Sequence, residues 1–159
     1  MIKAYKMQLD GNIDIPCNNL CVSFDIKFYS HYQRIYNSCF REMRTALDIK
    51  PYDFLSDISQ ISDKLNDINL LIKDGNIIGS VACYGNEIDD LIVAPEHQHK
   101  GYGKQLMLWA IHSIRSKNAE PITLHVADWN KIAVSLYKSL GFKIIETEII
   151  KQATKRLKF

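Results

Sequence analysis

The run VAPEHQHKGYGKQL, Val93 to Leu106, leaves an apolar segment, crosses a proline and two histidines, and sets Gly101 and Gly103 among lysines. An apolar helical pattern follows at once, with Met107, Ala110, Ile111 and Ile114 at i, i+3, i+4 and i+7. Strand, glycine turn and helix together can hold an anion. The first turn of a helix has unpaired N–H groups and carries the positive end of the helix dipole. Glycines let the backbone curl and a ligand approach closely. The amides from His99 to Lys104 could therefore converge on one phosphate, with Lys100 and Lys104 adding charge. A surface turn with solvated lysines is the other reading of the same residues. Two nucleotide motifs do not fit. A P-loop needs Ser or Thr after Gly-Lys, and Gln105 follows Gly103-Lys104. A dinucleotide fingerprint needs a third glycine where Leu106 stands.

Working outward, EIDDLIV (Glu87 to Val93) is predicted as a strand. NLLIKDGNIIGSVACYG before it reads as a hairpin turning at Asp74-Gly75-Asn76. LCVSFDIKF (Leu20 to Phe28) is the predicted first strand. A helix follows, with Tyr36, Phe40, Met43 and Leu47 on one face and Pro51 closing it. PYDFLSDISQISDKLND reads as a short helix and loop. On the other side, the helix predicted from Lys104 to Lys117 leads to the strand ITLHVAD. A helix over Asn130 to Leu140 is next, with Gly141 as its C-terminal stop. FKIIETEII and TKRLKF read as closing strands. The order β-α-(α)-β-β-β-α-β-α-β(-β) predicts an α/β fold with a mixed sheet, because it contains both a hairpin and strand-helix-strand crossovers.

The chain has 159 residues, 47% of them hydrophobic, which predicts one globular domain over residues 1–159. A formal net charge of +2 marks neither nucleic acid nor a membrane surface as partner. Cys17, Cys21, Cys39 and Cys83 form no paired zinc motif. His97, His99, His112 and His125 show no HExxH or other ligand spacing, so they read as surface or strand-packing residues and no metal site is expected. Neither a signal-like N-terminal segment nor an apolar run long enough to span a membrane is seen, so a soluble, cytoplasmic protein is expected.

Gln98-His99-Lys100-Gly101-Tyr102-Gly103 resembles the Q/R-x-x-G-x-G/A signature of the GNAT family of N-acetyltransferases. EIDDLIVAP resembles that family's fourth strand. LHVADWNKIAVSLYKSLGF resembles its second motif, with Asn130, Ala133, Leu136, Tyr137, Gly141 and Phe142 at the family's spacing. The resemblance covers Asn69 to Ile150; the earlier residues match only in supplying a strand and a helix. It implies a mixed, mostly antiparallel sheet flanked by helices and splayed between the fourth and fifth strands, with acetyl-CoA in the opening. By the same resemblance, Gln98, His99, Lys100, Gly101, Tyr102, Gly103 and Lys104 would hold the pyrophosphate. The backbones of Ile92 and Val93 would pair with the pantetheine arm beside a β-bulge. The Val93 N–H would polarise the thioester carbonyl. Asn130 would contact the pantetheine or a relay water, serve as a helix N-cap, or both.

Attack of an amine on a thioester needs a proton acceptor, a partner for the carbonyl oxygen and a donor for the leaving thiolate. Tyr137 is the expected donor, since a phenol is protonated at neutral pH; a plain core tyrosine is the alternative. Glu87, six residues before Val93, matches the glutamate used by the lysine-acetylating branch and is the leading base. Asp89 shares its strand face, while Asp90 is expected to point the other way. All three acids could instead cap the solvated entry to the strand. The resemblance implies an acetyl-CoA-dependent enzyme acting on a small-molecule or protein amine. The alternative is a non-catalytic acyl-CoA sensor or interaction module on the same fold. A homodimer is common for such folds, and no sequence feature marks one here.

Overall fold

In a computed structural model of the chain, which describes residues 1–18 and 20–151, regular structure begins at once. Residues Ile2–Leu9 form a strand, β1, that the sequence reading does not predict. Its apolar positions serve two faces. Met7 and Leu9 enter the core on one side of the sheet, while Ile2 and Ala4 are buried on the other. The interleaved Lys3 and Lys6 blur the pattern. The predicted first strand, Leu20 to Phe28, shrinks to β2 (Val22–Ser23). Asp25 ends it locally. Its carboxylate accepts the Lys27 N–H at 2.9 Å and caps a 3-10 turn that feeds α1 (Tyr29–Ala46). The short helix expected between residues 51 and 67 is two 3-10 turns, Ile58–Gln60 and Leu65–Asp67.

The remainder follows the expected order: β3 (Ile68–Lys73), β4 (Asn76–Tyr84), β5 (Glu87–Val93), α2 (Tyr102–Arg115), β6 (Ile122–Ala127), α3 (Lys131–Ser139) and β7 (Lys143–Ile150). Asp74 and Gly75 both take positive φ, 52° and 75°, as a two-residue hairpin turn requires. The last predicted strand, TKRLKF, lies outside the described residues. Among the described residues the strands form one seven-stranded sheet in the order β2-β3-β4-β5-β6-β1-β7. All neighbours are antiparallel except β5 and β6. Helices α2 and α3 pack on one face, with Leu106, Ile111, Tyr137 and Phe142 against Met7, Leu124 and Val126. Helix α1 packs on the other, with Tyr32 and Ile35 against Leu70, Ala82 and Ile92.

The sheet parts where the resemblance implies. With β1 counted, the strands named fourth and fifth are β5 and β6. They share a single parallel pairing, Glu87 with Thr123, and separate beyond it. A β-bulge drives them apart. Against β4, the register steps from Ser80–Ile92 to Ala82–Asp89, three positions of β5 for two of β4. Within that step Asp90 takes φ +47°, a left-handed conformation that aspartate tolerates better than most residues.

Gly79 fixes how closely β4 approaches the bent strand. A Cβ there would sit 2.6 Å from the Ile92 carbonyl oxygen and 2.7 Å from Leu106 Cδ1. Gly79→Ala is therefore expected to destabilise the protein by about 1–3 kcal/mol, the usual range for overpacking. Urea unfolding followed by circular dichroism checks this; an unchanged midpoint would mean that β4 and β5 have slack.

Candidate active site

The parted strands leave a cleft. Its walls are Ile88, Asp89, Asp90 and Leu91 of β5 and Leu124 to Ala127 of β6, with Asn130, Tyr137 of α3, and Phe40 and Met43 of α1 closing it. The bulge changes which side chains face α1. By simple alternation Asp90 would point away from Asp89, but the extra residue turns both carboxylates to the α1 side. Asp89 lies opposite Ala82, a residue of the α1-side core, and is 9% exposed. Tyr36 of α1 donates its hydroxyl to Asp90 Oδ1 at 3.3 Å. Asp89 Oδ1 in turn accepts the Asp90 N–H at 2.8 Å, which holds the bulge in shape. Burial, followed by the nearby Asp90 carboxylate, raises the hydroxyls of Tyr32 and Tyr36 well above the usual phenol value.

Tyr137 is buried on the opposite side of the cleft, beside Phe142. Burial, with the Asp89 carboxylate adding to it, raises its hydroxyl well above the ordinary value, so it stays protonated at neutral pH. It is a core residue and a cleft wall at once. Asn130 is the N-cap of α3, its Oδ1 accepting the Ala133 N–H at 3.1 Å, and it also lines the cleft. Glu87 is placed differently. It sits at the closed end, on the last pairing of β5 with β6, and does not line the cleft. Its Oε1 instead lies 3.4 Å from Nδ1 of His125, which does.

Backbone direction separates Ile92 from Val93. The Ala94 N–H donates to the Ile78 carbonyl at 2.8 Å, and Ile92 is paired with Ser80. By antiparallel alternation, the polar groups of Ile92 face β4, and those of Val93 face the opening toward β6. The expectation that both residues offer backbone to a ligand is corrected for Ile92, whose groups serve the sheet. The Val93 carbonyl is also engaged. It accepts from Gln98 Nε2 at 3.0 Å and from Cys39 Sγ at 3.1 Å. Burial pushes the Cys39 thiol up to about 11.

Gln98, first residue of the glycine signature, thus ties the turn to the end of β5. After it, His99 takes φ +62° and Gly101 φ +87°, and α2 starts at Tyr102. Left-handed residues alternating with ordinary ones fold successive amides into a concavity suited to an anion. Gly103 lies in the first turn, where a Cβ would meet only Leu136 Cδ2, at an ordinary 3.7 Å. Packing does not demand this glycine; an approaching ligand would. No acidic side chain lies in that first turn. A cation the sequence reading missed, Lys73, reaches Tyr102: its Nζ lies 3.2 Å from the hydroxyl and 4.9 Å from the ring centroid. No group of three or more His, Cys, Asp or Glu suited to a metal occurs among the described residues. No described helix is long and apolar enough to cross a membrane.

Residues 29–142 match the family profile described as Acetyltransferase (GNAT) family. Mycothiol acetyltransferase of Thermobifida fusca (strain YX) is 32% identical over 87 residues, 55% of this chain and 25% of that protein. Spermidine N(1)-acetyltransferase of Vibrio cholerae serotype O1 is 32% identical over 108 residues, 58% of this chain and 61% of that protein. The chain thus spans only part of the length of these curated relatives. Among solved structures, a GNAT acetyltransferase from Colwellia psychrerythraea has TM-score 0.71 at 10% identity, covering 91% of this chain and 53% of that one. PaiA N-acetyltransferase of Thermoplasma acidophilum, solved with coenzyme A, has TM-score 0.60 at 21% identity, covering 78% of this chain and 89% of that one.

The two roles open to Asn130 separate by substitution. Asn130→Ala removes the cap and should cost about 1 kcal/mol of stability, while Asn130→Asp should retain it. Urea midpoints for the pair check this; equal midpoints would show that the cap contributes nothing.

Proposed function

The chain belongs to the GNAT acetyltransferase family, and on that premise we propose that it moves an acetyl group from acetyl-CoA to a primary amine. The observation that carries this reading is the continuous path from the cleft to the glycine turn. The parted strands open at Val93, whose N–H faces β6, and Gln98 connects that residue to the left-handed turn at the head of α2. A pantetheine arm laid along β5 would meet the Val93 N–H, and its pyrophosphate would reach the amides of His99 to Lys104. Lys73, Lys100 and Lys104 supply cations around that turn.

In this reading the Val93 N–H stabilises the oxygen of the thioester carbonyl as charge develops on it. Tyr137 donates its proton to the departing thiolate, from a position buried beside the cleft. Asp89 and Asp90 make the α1 side of the cleft anionic, which favours an acceptor that arrives as an ammonium ion. Names among the relatives, such as spermidine N(1)-acetyltransferase, agree with an amine acceptor.

Calorimetry against acetyl-CoA, CoA and ATP tests the reading, with binding of the first two expected and none of ATP. Failure to bind acetyl-CoA would overturn it. Binding without turnover of any amine would favour the acyl-CoA sensor instead. Tyr137→Phe should lower kcat by about 100-fold, the scale of a lost general acid, and leave acetyl-CoA affinity within about twofold. Unchanged turnover would remove Tyr137 from the chemistry.

A further inference from the structure

The amine must be neutral before it attacks, so the cleft needs a proton acceptor. Glu87, the base expected from sequence, stands behind the cleft wall rather than in it. His125 of β6 is that wall. Its Nδ1 faces Glu87 Oε1 at 3.4 Å, and the two side chains are 35% and 29% exposed. The contact comes from the sheet itself. Glu87 lies on the last rung that joins β5 to β6, opposite Thr123. His125 is two residues further along β6 on the same face, just where the strands part. His125 also borders a second depression, on the open face of β6, β1 and β7, together with Lys6, Glu146 and Glu148. One imidazole therefore forms a wall of both spaces.

Resting on the transferase reading above, we propose that His125 is the proton acceptor of the reaction and that Glu87 is its positioning residue. With the ring proton on Nδ1 toward the carboxylate, Nε2 keeps its lone pair for the acceptor. Nε2 takes one proton from the substrate ammonium, and Glu87 stabilises the imidazolium so formed. The neutral nitrogen bonds to the thioester carbon, and the carbon–sulfur bond breaks. The thiolate takes the Tyr137 proton, and the second nitrogen proton restores the tyrosine. His125 then releases its proton to water in the open depression, one per turnover, matching the one proton that amide formation from an ammonium ion sets free. Groups facing the imidazole are Glu87 from β5, Lys6 from β1, Glu146 and Glu148 from β7, and Asp89 and Tyr137 across the cleft.

A panel of primary amines, diamines, amino-acid amides and short peptides, assayed by CoA release, selects the best acceptor of the wild-type protein. With that amine, His125→Gln should lower kcat by about 100-fold and abolish the rise of rate with pH that a titrating base confers. Glu87→Gln should lower kcat by about tenfold through misorientation, keep that rise, and be partly rescued by Glu87→Asp. Acetyl-CoA affinity should stay within about twofold in all three. A His125→Gln protein with wild-type kcat at every pH overturns the proposal and leaves the transferase reading standing. Wild-type protein that fails to bind acetyl-CoA overturns both. If it binds but no amine in the panel turns over, imidazole NMR decides, with the His125 resonance assigned from His125→Gln. A shift of that resonance on saturation with acetyl-CoA supports the placement, and an unmoved resonance overturns it.

Discussion

The Asp90 N–H donates to the Asp89 carboxylate at 2.8 Å, closing the extra residue of β5 upon itself. Everything useful in the sheet depends on this local turn. An unbulged β5 would continue its ladder with β6 beyond Thr123 and leave no opening. The bulge also sets side-chain direction, bringing both carboxylates to the α1 side, and it precedes a Val93 backbone that is not spent on β4. One inserted position thereby makes the cleft, its two carboxylates and a Val93 amide turned from β4 together. The left-handed φ at Asp90 is the local strain that goes with it.

Much of this was legible in the sequence, and the failures have physical causes. The glycine turn could be read because left-handed backbone and close approach restrict residue type, and Gly101 does take positive φ. The hairpin at Asp74-Gly75 was legible for the same reason. β1 was missed because a strand with one apolar set on each face shows weak period-2 alternation, and Lys3 and Lys6 interrupt it further. Leu20 to Phe28 misled because Asp25 prefers to cap a turn, which composition alone does not reveal. The direction of Asp90 could not be read, since a bulge inverts every alternation argument beyond it. The Ile92 backbone was misassigned because pairing phase is a property of the partner strand. His125 carries no motif, and it gains meaning only when β5 and β6 lie side by side.

Phenols surround the two carboxylates of the cleft, buried Asp89 and half-buried Asp90. Tyr32 and Tyr36 approach from α1 and Tyr137 from α3, each with its hydroxyl raised by burial and by a neighbouring Asp. A phenol held protonated is a dependable donor, and a carboxylate offered such donors stays solvated without bulk water. Charge–charge attraction in such a space is stronger than at an open surface, because little water remains to screen it. The same enclosure that would strengthen the hold on an ammonium ion would therefore also protect the phenolic protons.

The position of β1 has a consequence for how the chain reaches its fold. Strand β1 lies between two partners far along the chain, Ile122–Ala127 and Lys143–Ile150. On a ribosome it must wait for the long intervening segment before either edge can be paired. Contacts of such long sequence separation slow folding and prolong the exposure of unpaired strand edges. Residues Ile2–Leu9 then act as the keystone, joining the half of the sheet that carries β6 to β7. Lys3 and Lys6, which helped hide the strand from a reading of the sequence, are also what would keep it soluble while it waits.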